Sequence, residues 1–224
     1  MKIKELLLNL IFPKFCLGCN KEGVFLCQDC FSTLEVSTTH QQLKLKYLDD
    51  LYFPVNYENF LVKKLIQVFK YPPLIRELKK ELSLLIISHF LLLDKMPNFS
   101  NFVIVPVPLS KKKLKWRGFN QAEEIAKELS RFLKIPLSSD CVIKIKETKD
   151  QAELPEKERR ENVKNAFFVK DREKIARKNI LLVDDVFTTG STMEEISRIL
   201  KEVSAKKIIG VVIAKALPPQ DKLT

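Results

Sequence analysis

The chain has 224 residues, 46% of them hydrophobic, enough to bury the core of one catalytic domain plus a small appendage and too apolar for a disordered chain. With 39 Lys and Arg against 28 Asp and Glu, the formal net charge is +11, which points to an anionic ligand or partner: phosphates, nucleic acid or a membrane surface. The longest apolar run, residues 82–93, is broken by Ser83, Ser88 and His89 and falls short of the ~18 residues of a spanning helix.

Residues 1–12 place lysines before a brief apolar run, but no small-residue cleavage site follows, so a cytoplasmic location is expected. Next come Cys16-x-x-Cys19, seven residues, and Cys27-x-x-Cys30. Each pair forms a knuckle whose thiolates aim at a common centre, and two knuckles close a tetrahedral four-thiolate site suited to structural Zn²⁺. Two disulfides fit poorly with a reducing compartment, and the spacing offers nothing for an iron–sulfur cluster. So small a segment lacks a core of its own, and the metal would supply its folding energy. Its boundary is set at residues 1–35, with Gly18 and Gly23 providing turn freedom. Cys141 lies in an apolar run and reads as a small buried hydrophobe.

Residues 36–100 form a helical connecting or hood region. Residues 32–50 carry a weak signal, a linker with some helix, in which His40 reads as exposed; His89 reads as a satisfied core residue. Residues 51–57 predict a strand, and residues 60–69 an amphipathic helix with Leu61, Leu65, Ile66 and Phe69 inward and Lys63, Lys64 and Lys70 outward. Pro72-Pro73 ends it, and a longer helix runs from 74 to about 93.

Residues 101–107 open an α/β core with Phe102, Val103, Ile104 and Val105 as a buried strand. Pro106, Val107, Pro108, Leu109 and Ser110 bend the chain into Lys111, Lys112, Lys113, Leu114, Lys115, Trp116 and Arg117. Five cations in those seven positions suit a pyrophosphate or a nucleic-acid backbone, with Trp116 placed for base stacking, or else make a solvated lysine face. Asn120, with Glu123 three residues on, caps a helix whose Ala122, Ile125, Ala126, Leu129 and Leu133 face inward. Residues 142–145 read as the next strand, giving β-α-β and hence a parallel sheet. The charged stretch 147–163 reads as a mobile excursion whose Gln151, Arg159, Arg160 and Asn162 either close over an anionic substrate as a lid or form a solvated loop.

Residues 179–193 carry the strongest functional signal. The apolar run 180–183 is the pattern of a strand buried on both faces, and Asp184 and Asp185 stand at its carboxyl end, where open α/β sheets bind ligands. Thr188, Thr189, Gly190, Ser191 and Thr192 then lead into a helix with the apolar stripe Met193, Ile196, Ile199, Leu200 and Val203, Thr192 and Glu195 reading as its capping box. Such a loop gathers N–H groups, hydroxyls and the positive end of a helix dipole around one point suited to a phosphate. Acids just before a phosphate cradle call for hydroxyls or a bound cation on the same ligand, as in a ribose 5-phosphate. The five glycines form neither a Gly-x-x-x-x-Gly-Lys-Ser/Thr loop nor a dinucleotide fingerprint.

This segment resembles the phosphoribosyl pyrophosphate motif of type I phosphoribosyltransferases, with Phe187 where a smaller aliphatic is usual. Together with the cysteines, the Val-Pro-Val-Pro-Leu run ending at Leu109, the Arg-Gly-Phe-Asn-Gln-Ala run from Arg117 to Ala122, and the Glu-Arg-Arg-Glu-Asn-Val run from Glu158, nearly the whole chain resembles the ComF family of bacterial competence proteins. The resemblance implies an α/β fold, a type I phosphoribosyltransferase-like parallel sheet flanked by helices over residues 101–224, behind the small N-terminal zinc-binding segment. It implies Mg²⁺ with phosphoribosyl pyrophosphate, Asp184 and Asp185 on the ribose hydroxyls, and Thr188, Thr189, Gly190, Ser191 and Thr192 on the 5-phosphate. Pro108, Leu109, Ser110, Arg117, Asn120 and Gln121 would line the substrate, with the pyrophosphate at this turn or at the Arg159 lid. Two functions fit: ribosyl transfer to an unknown acceptor in the service of DNA uptake, or a non-catalytic factor that uses the pocket as a sensor and contacts single-stranded DNA or the uptake helicase.

Overall fold

The computed structural model describes residues 13–148 and 156–216. Its elements begin with α1 (Gln28–Ser32), β1 (Asp50–Tyr52), β2 (Val55–Asn56), α2 (Phe60–Lys70), a 3₁₀ turn (Arg76–Leu78), α3 (Lys79–Leu92) and β3 (Phe102–Pro106). There follow α4 (Lys111–Arg117), α5 (Gln121–Leu133), β4 (Val142–Lys144), α6 (Glu156–Val163), β5 (Phe167–Val169), β6 (Asn179–Val183), β7 (Val186–Phe187), α7 (Ser191–Glu202), β8 (Ile208–Val211) and β9 (Ala214–Lys215).

The main sheet is parallel, in the order β1, β8, β6, β3. Its central strands are uninterrupted apolar runs because helices cover both faces, and Ile180, Leu181, Leu182 and Val183 are all fully buried. Alternate residues feed two cores. Ile104, Leu181, Val183, Ile209 and Val211 pack with Val62, Leu65, Ile66 and Phe69 of α2, with α3 and with α5. Val105, Ile180, Leu182 and Ile208 pack with Met193, Ile196 and Leu200 of α7. A smaller parallel ladder, β2, β9, β7, continues beyond the carboxyl ends of the main strands.

The sheet is parallel as expected, but not through the predicted strand. β4 pairs antiparallel with β5 as a separate two-stranded flap. The strand position that follows β3 and α5 falls instead to a single parallel bridge between Ile104 and Leu137, held by Ser138 N–H donating to the Ile104 carbonyl at 2.8 Å. The flap strand is half solvated, Ile143 being exposed while Val142 is buried, a pattern that an apolar count alone does not separate from a buried strand.

Other differences are local. The predicted strand over 51–57 is split into β1 and β2, and residues 33–49 contain no helix. His40 is half-buried rather than exposed: it stacks on Tyr52 at 3.9 Å, and its Nε2 lies 3.0 Å from Asp50 Oδ2. His89 packs in the core with Nδ1 2.6 Å from the Ser37 carbonyl, while its Nε2 is buried without a partner. Cys141 is fully buried, as its apolar surroundings require.

One buried charge ties the 3₁₀ turn and α3 to α5. The Glu124 side chain is 2% exposed and accepts from Arg76, Lys79 and Lys127. Burial alone would raise its carboxyl, but these three cations outweigh it and hold it at about 2. A depressed carboxyl stabilises the fold above the unfolded glutamate value of about 4.3, and that contribution is lost as pH falls towards 2. Glu124→Gln should therefore cost about 2 kcal/mol at pH 7 by urea unfolding, with the gap to wild type closing between pH 5 and pH 2. A gap that stays constant with pH would show that shape, not charge, is at work.

Candidate phosphoribosyl site

The site is built at the carboxyl ends of β3 and β6. Their register sets Pro106 beside Val183, and Val107 N–H donates to the Val183 carbonyl at 2.8 Å, so the Pro108, Leu109 and Ser110 bend leaves the sheet next to the acid pair. Asp184 N–H donates to Val211, and the Asp185 carbonyl accepts from Ile213 and Ala214. The backbone of both acids is thus fixed by β8 and the segment after it. Asp184 Oδ1 accepts from Asp185 N–H at 2.9 Å.

The electrostatics are set by a residue that sequence reasoning put on the outer face. Lys70, the last residue of α2, places Nζ 2.7 Å from Asp185 Oδ1. Burial pulls the Lys70 ammonium down, but the Asp185 and Asp184 carboxylates outweigh it and leave its affinity for a proton raised. Asp184 is shifted too. Burial first, then the adjacent Asp185 carboxylate, push it up to about 7, against the opposing pull of Lys70 and Lys144. The signal for Lys70 was present in its spacing: Val62, Leu65, Ile66 and Phe69 are the buried stripe of α2, and position 70 continues the same i, i+3, i+4, i+7, i+8 series.

Behind the acids, α7 begins without a side-chain cap. Its N-cap is Gly190, at φ 75°, so the predicted capping box of Thr192 and Glu195 does not form. Glu195 instead pairs with Arg198 and accepts from Asn165 N–H. The N–H groups of a first helical turn have no intrahelical acceptor, and they and the positive end of the helix dipole favour an anion placed at this turn. The Thr189 and Ser191 hydroxyls lie 2.8 Å apart, and a recess of about 20 Å³ is lined by Asp184, Val186, Thr188, Gly190, Ser191 and Thr192.

The basic run forms α4, a helix and not a turn, with Ser110 accepting from Lys113 N–H as its N-cap. Lys111, Lys112, Lys115 and Trp116 are exposed. Arg117 turns inward: it is buried, bonds Gln121 Oε1 at 3.0 Å, and lies over Tyr71. Gln121 in turn donates to the Phe69 carbonyl, and Asn120 donates to the Val107 carbonyl and caps α5. Arg117, Asn120 and Gln121 therefore brace the end of α2 and the bend after β3. Pro108, Leu109, Lys111 and Asn120 share a cavity of about 500 Å³ with Lys144 of the flap.

The expected lid divides. Gln151 lies outside the described residues, and α6 packs against α7 as an ordered helix. Arg159, on α6, is half-buried and engaged with neighbouring groups. Arg160 shares a cavity of about 580 Å³ with Tyr47, Thr189, Ser191 and Glu194.

At the N-terminal end, the sulfurs of Cys16, Cys19, Cys27 and Cys30 all lie within 4.8 Å of one another. Cys16 Sγ accepts from Cys27 N–H and Cys27 Sγ from Cys30 N–H, as thiolate ligands in a knuckle do. A Cβ at Gly18 would sit 2.6 Å from Cys30 Sγ, so the first knuckle closes only around glycine. The donor set fits one tetrahedral zinc ion.

Residues 115–222, which carry the paired carboxylates and the start of α7, match the Phosphoribosyl transferase domain family. The chain is a homologue of competence and DNA-utilization proteins. It is 42% identical over 106 residues to Competence protein F of Haemophilus influenzae, covering 47% of this chain and 46% of that protein. It is 38% identical over 97 residues to DNA utilization protein YhgH of Escherichia coli, covering 43% and 42%. To Competence protein ComFC of Streptococcus pneumoniae it is 30% identical over 115 residues, covering 51% and 49%. The chain thus spans about half the length of the curated relatives it matches. Among the described residues no helix is long and apolar enough to cross a membrane.

Proposed function

We propose that the protein binds phosphoribosyl pyrophosphate with Mg²⁺ and serves DNA uptake, the pocket being competent for ribosyl transfer with loss of pyrophosphate. The observation that carries this reading is the placement of Asp184 and Asp185 directly before the uncapped start of α7, which offers hydroxyl acceptors and an anion cradle to one ligand. The names of the relatives support the DNA-uptake context. Asp184 and Asp185 would hold the ribose hydroxyls, with Thr188, Thr189, Gly190, Ser191 and Thr192 around the 5-phosphate. When bound with the ligand, Mg²⁺ would supply neutralisation of the pyrophosphate's negative charge.

Asp184→Asn separates binding from folding. A carboxyl raised to about 7 in the fold, against about 3.9 unfolded, costs stability above pH 4, and the cost is complete by pH 7. The asparagine variant should thus be at least as stable as wild type at pH 7.5, with the difference vanishing towards pH 4, yet bind phosphoribosyl pyrophosphate more weakly. In wild type, ligand at about 100 times its dissociation constant should stabilise the fold by roughly 2.7 kcal/mol. No ligand-dependent shift with Mg²⁺ present would overturn the reading.

A second reading, a single-stranded DNA contact, is favoured by one observation. Trp116 is exposed among Lys111, Lys112 and Lys115, with Tyr71 at 6.4 Å and Arg117 under both rings. Single-stranded DNA should then bind with a steep salt dependence that flattens when Lys111, Lys112 and Lys113 become alanine. Trp116→Ala should cost roughly 1 to 3 kcal/mol of binding. Unchanged binding in both variants would remove α4 from any DNA path.

A further inference from the structure

We infer that Lys70 is a specificity residue of this site: its ammonium group holds the place at Asp185 that a bare divalent cation would otherwise take, so that metal enters only in complex with a phosphoribosyl ligand. The refusal of the bare ion stands on the geometry alone; the admission of the complex rests on the reading above.

Two adjacent carboxylates on a fixed backbone, one of them buried, are a hard oxygen site for a divalent cation, and carboxylates suit Mg²⁺ and Mn²⁺. Lys70 sets one positive charge in direct contact with that pair. The interaction is partly sheltered from solvent, with the Lys70 side chain 23% and the Asp185 side chain 10% exposed, so salt screens it less than a surface pair. Nor can the lysine's backbone retreat. Its helix end is held by Gln121 donating to the Phe69 carbonyl, by Ile75 N–H donating to the Val68 carbonyl, and by Tyr71 N–H donating to the Gln67 carbonyl. A cation at a helix C-terminus is also favoured by the helix dipole.

A bare divalent ion would have to displace this ammonium group and leave it half-buried without its carboxylate. A sugar presents a smaller demand. Hydroxyl groups need only lone pairs, which Asp184 and the carboxylate of Asp185 can supply while Oδ1 keeps Lys70, and the metal arrives already bound to the pyrophosphate. Lys70 thus selects for a liganded metal over a free one, and the acids are read by hydroxyl donors.

The test uses full-length, zinc-loaded protein and Mn²⁺ as the probe, with free Mn²⁺ followed by electron paramagnetic resonance at neutral pH. Wild type should show no Mn²⁺ binding tighter than the millimolar range without phosphoribosyl pyrophosphate. Lys70→Met should bind Mn²⁺ alone at least about tenfold more tightly, as expected for removing one positive charge in contact with the site. Lys70→Arg keeps the charge and should refuse the ion as wild type does. Lys63→Met, elsewhere on α2, controls for general loss of charge. Should Lys70→Met fail to fold, the wild-type and Lys70→Arg measurements still decide: tight binding of Mn²⁺ alone by either overturns the inference, as does a folded Lys70→Met that binds it no better than wild type. Phosphoribosyl pyrophosphate titrated into the same samples reads the proposed function separately. If Lys70→Met gains Mn²⁺ while no variant binds the sugar, the specificity role stands and the phosphoribosyl reading falls.

Discussion

Replacing Gly190 with valine is expected to abolish binding of phosphoribosyl pyrophosphate and to lower stability by about 3 kcal/mol, and the damage should come from beneath the loop and not from its ligand face. Gly190 is at φ 75°, where a β-branched residue is strained by about 1 to 2 kcal/mol. A Cβ there would lie 2.5 Å from Phe187 Cζ and 3.0 Å from Leu45 Cδ1, and overpacking of this kind costs about 1 to 3 kcal/mol. Because Phe187 is buried, its ring has little freedom to yield. Gly190→Ala should already show most of the loss, since it carries the colliding atom. Adding Phe187→Leu should recover the steric part but not the backbone strain. Urea unfolding of the three variants, with calorimetric titration of the ligand, measures both effects. An alanine variant within about 0.5 kcal/mol of wild type that still binds ligand would show that the loop does not depend on this packing.

Phe187 also shows where sequence reasoning stops. In the sequence it stands out only as a departure from the usual aliphatic. Its ring fills the space that makes glycine necessary at 190, a pairing visible only once β7 has turned the chain. The parallel core was legible because a strand buried on both faces has to be an unbroken apolar run, and residues 180–183 can be read in no other way beside a following amphipathic helix. β4 was misplaced because a short apolar run in a flap looks the same as one in a sheet until its exposed alternate residue is seen. The turn that ends at Arg117 was one of two places, with the Arg159 lid, expected to hold the pyrophosphate, because cations near a crevice suggest anions. Its bond to Gln121 and its position over Tyr71 arise from the packing of α4 against the end of α2, which no local pattern specifies. Lys70 is the instructive case. A lysine on the buried stripe of a helix was a charge in need of a partner, and the partner was a carboxylate more than a hundred residues away in the sequence.

Loss of the metal is the second large effect expected. The purified protein should carry one zinc per chain, and Cys19→Ser should remove it. Cys19 is the appropriate position because it is exposed, whereas Cys16 and Cys27 are buried and contribute to packing as well as to coordination. Zinc binding by small four-ligand sites is worth about 10 to 16 kcal/mol in isolation, so the N-terminal segment should lose its fixed structure. The consequence should reach further than a detached domain would allow. Cys16, Leu26, Cys27 and Leu34 belong to the same core as Val62 and Leu65 of α2, Lys64 donates to the Leu17 carbonyl, and Lys14 pairs with Glu77. Hydrogen exchange should therefore show lost protection through α1 and the first turns of α2, while α7, whose Met193, Ile196, Ile199 and Leu200 belong to the other core, stays protected. Alkylation of the freed thiols at a rate like that of unfolded peptide would accompany it. Less than stoichiometric zinc in protein produced with ample metal, with the cysteines joined in disulfides, would overturn the assignment. Full protection in metal-free protein would show that packing against α2 alone holds the segment.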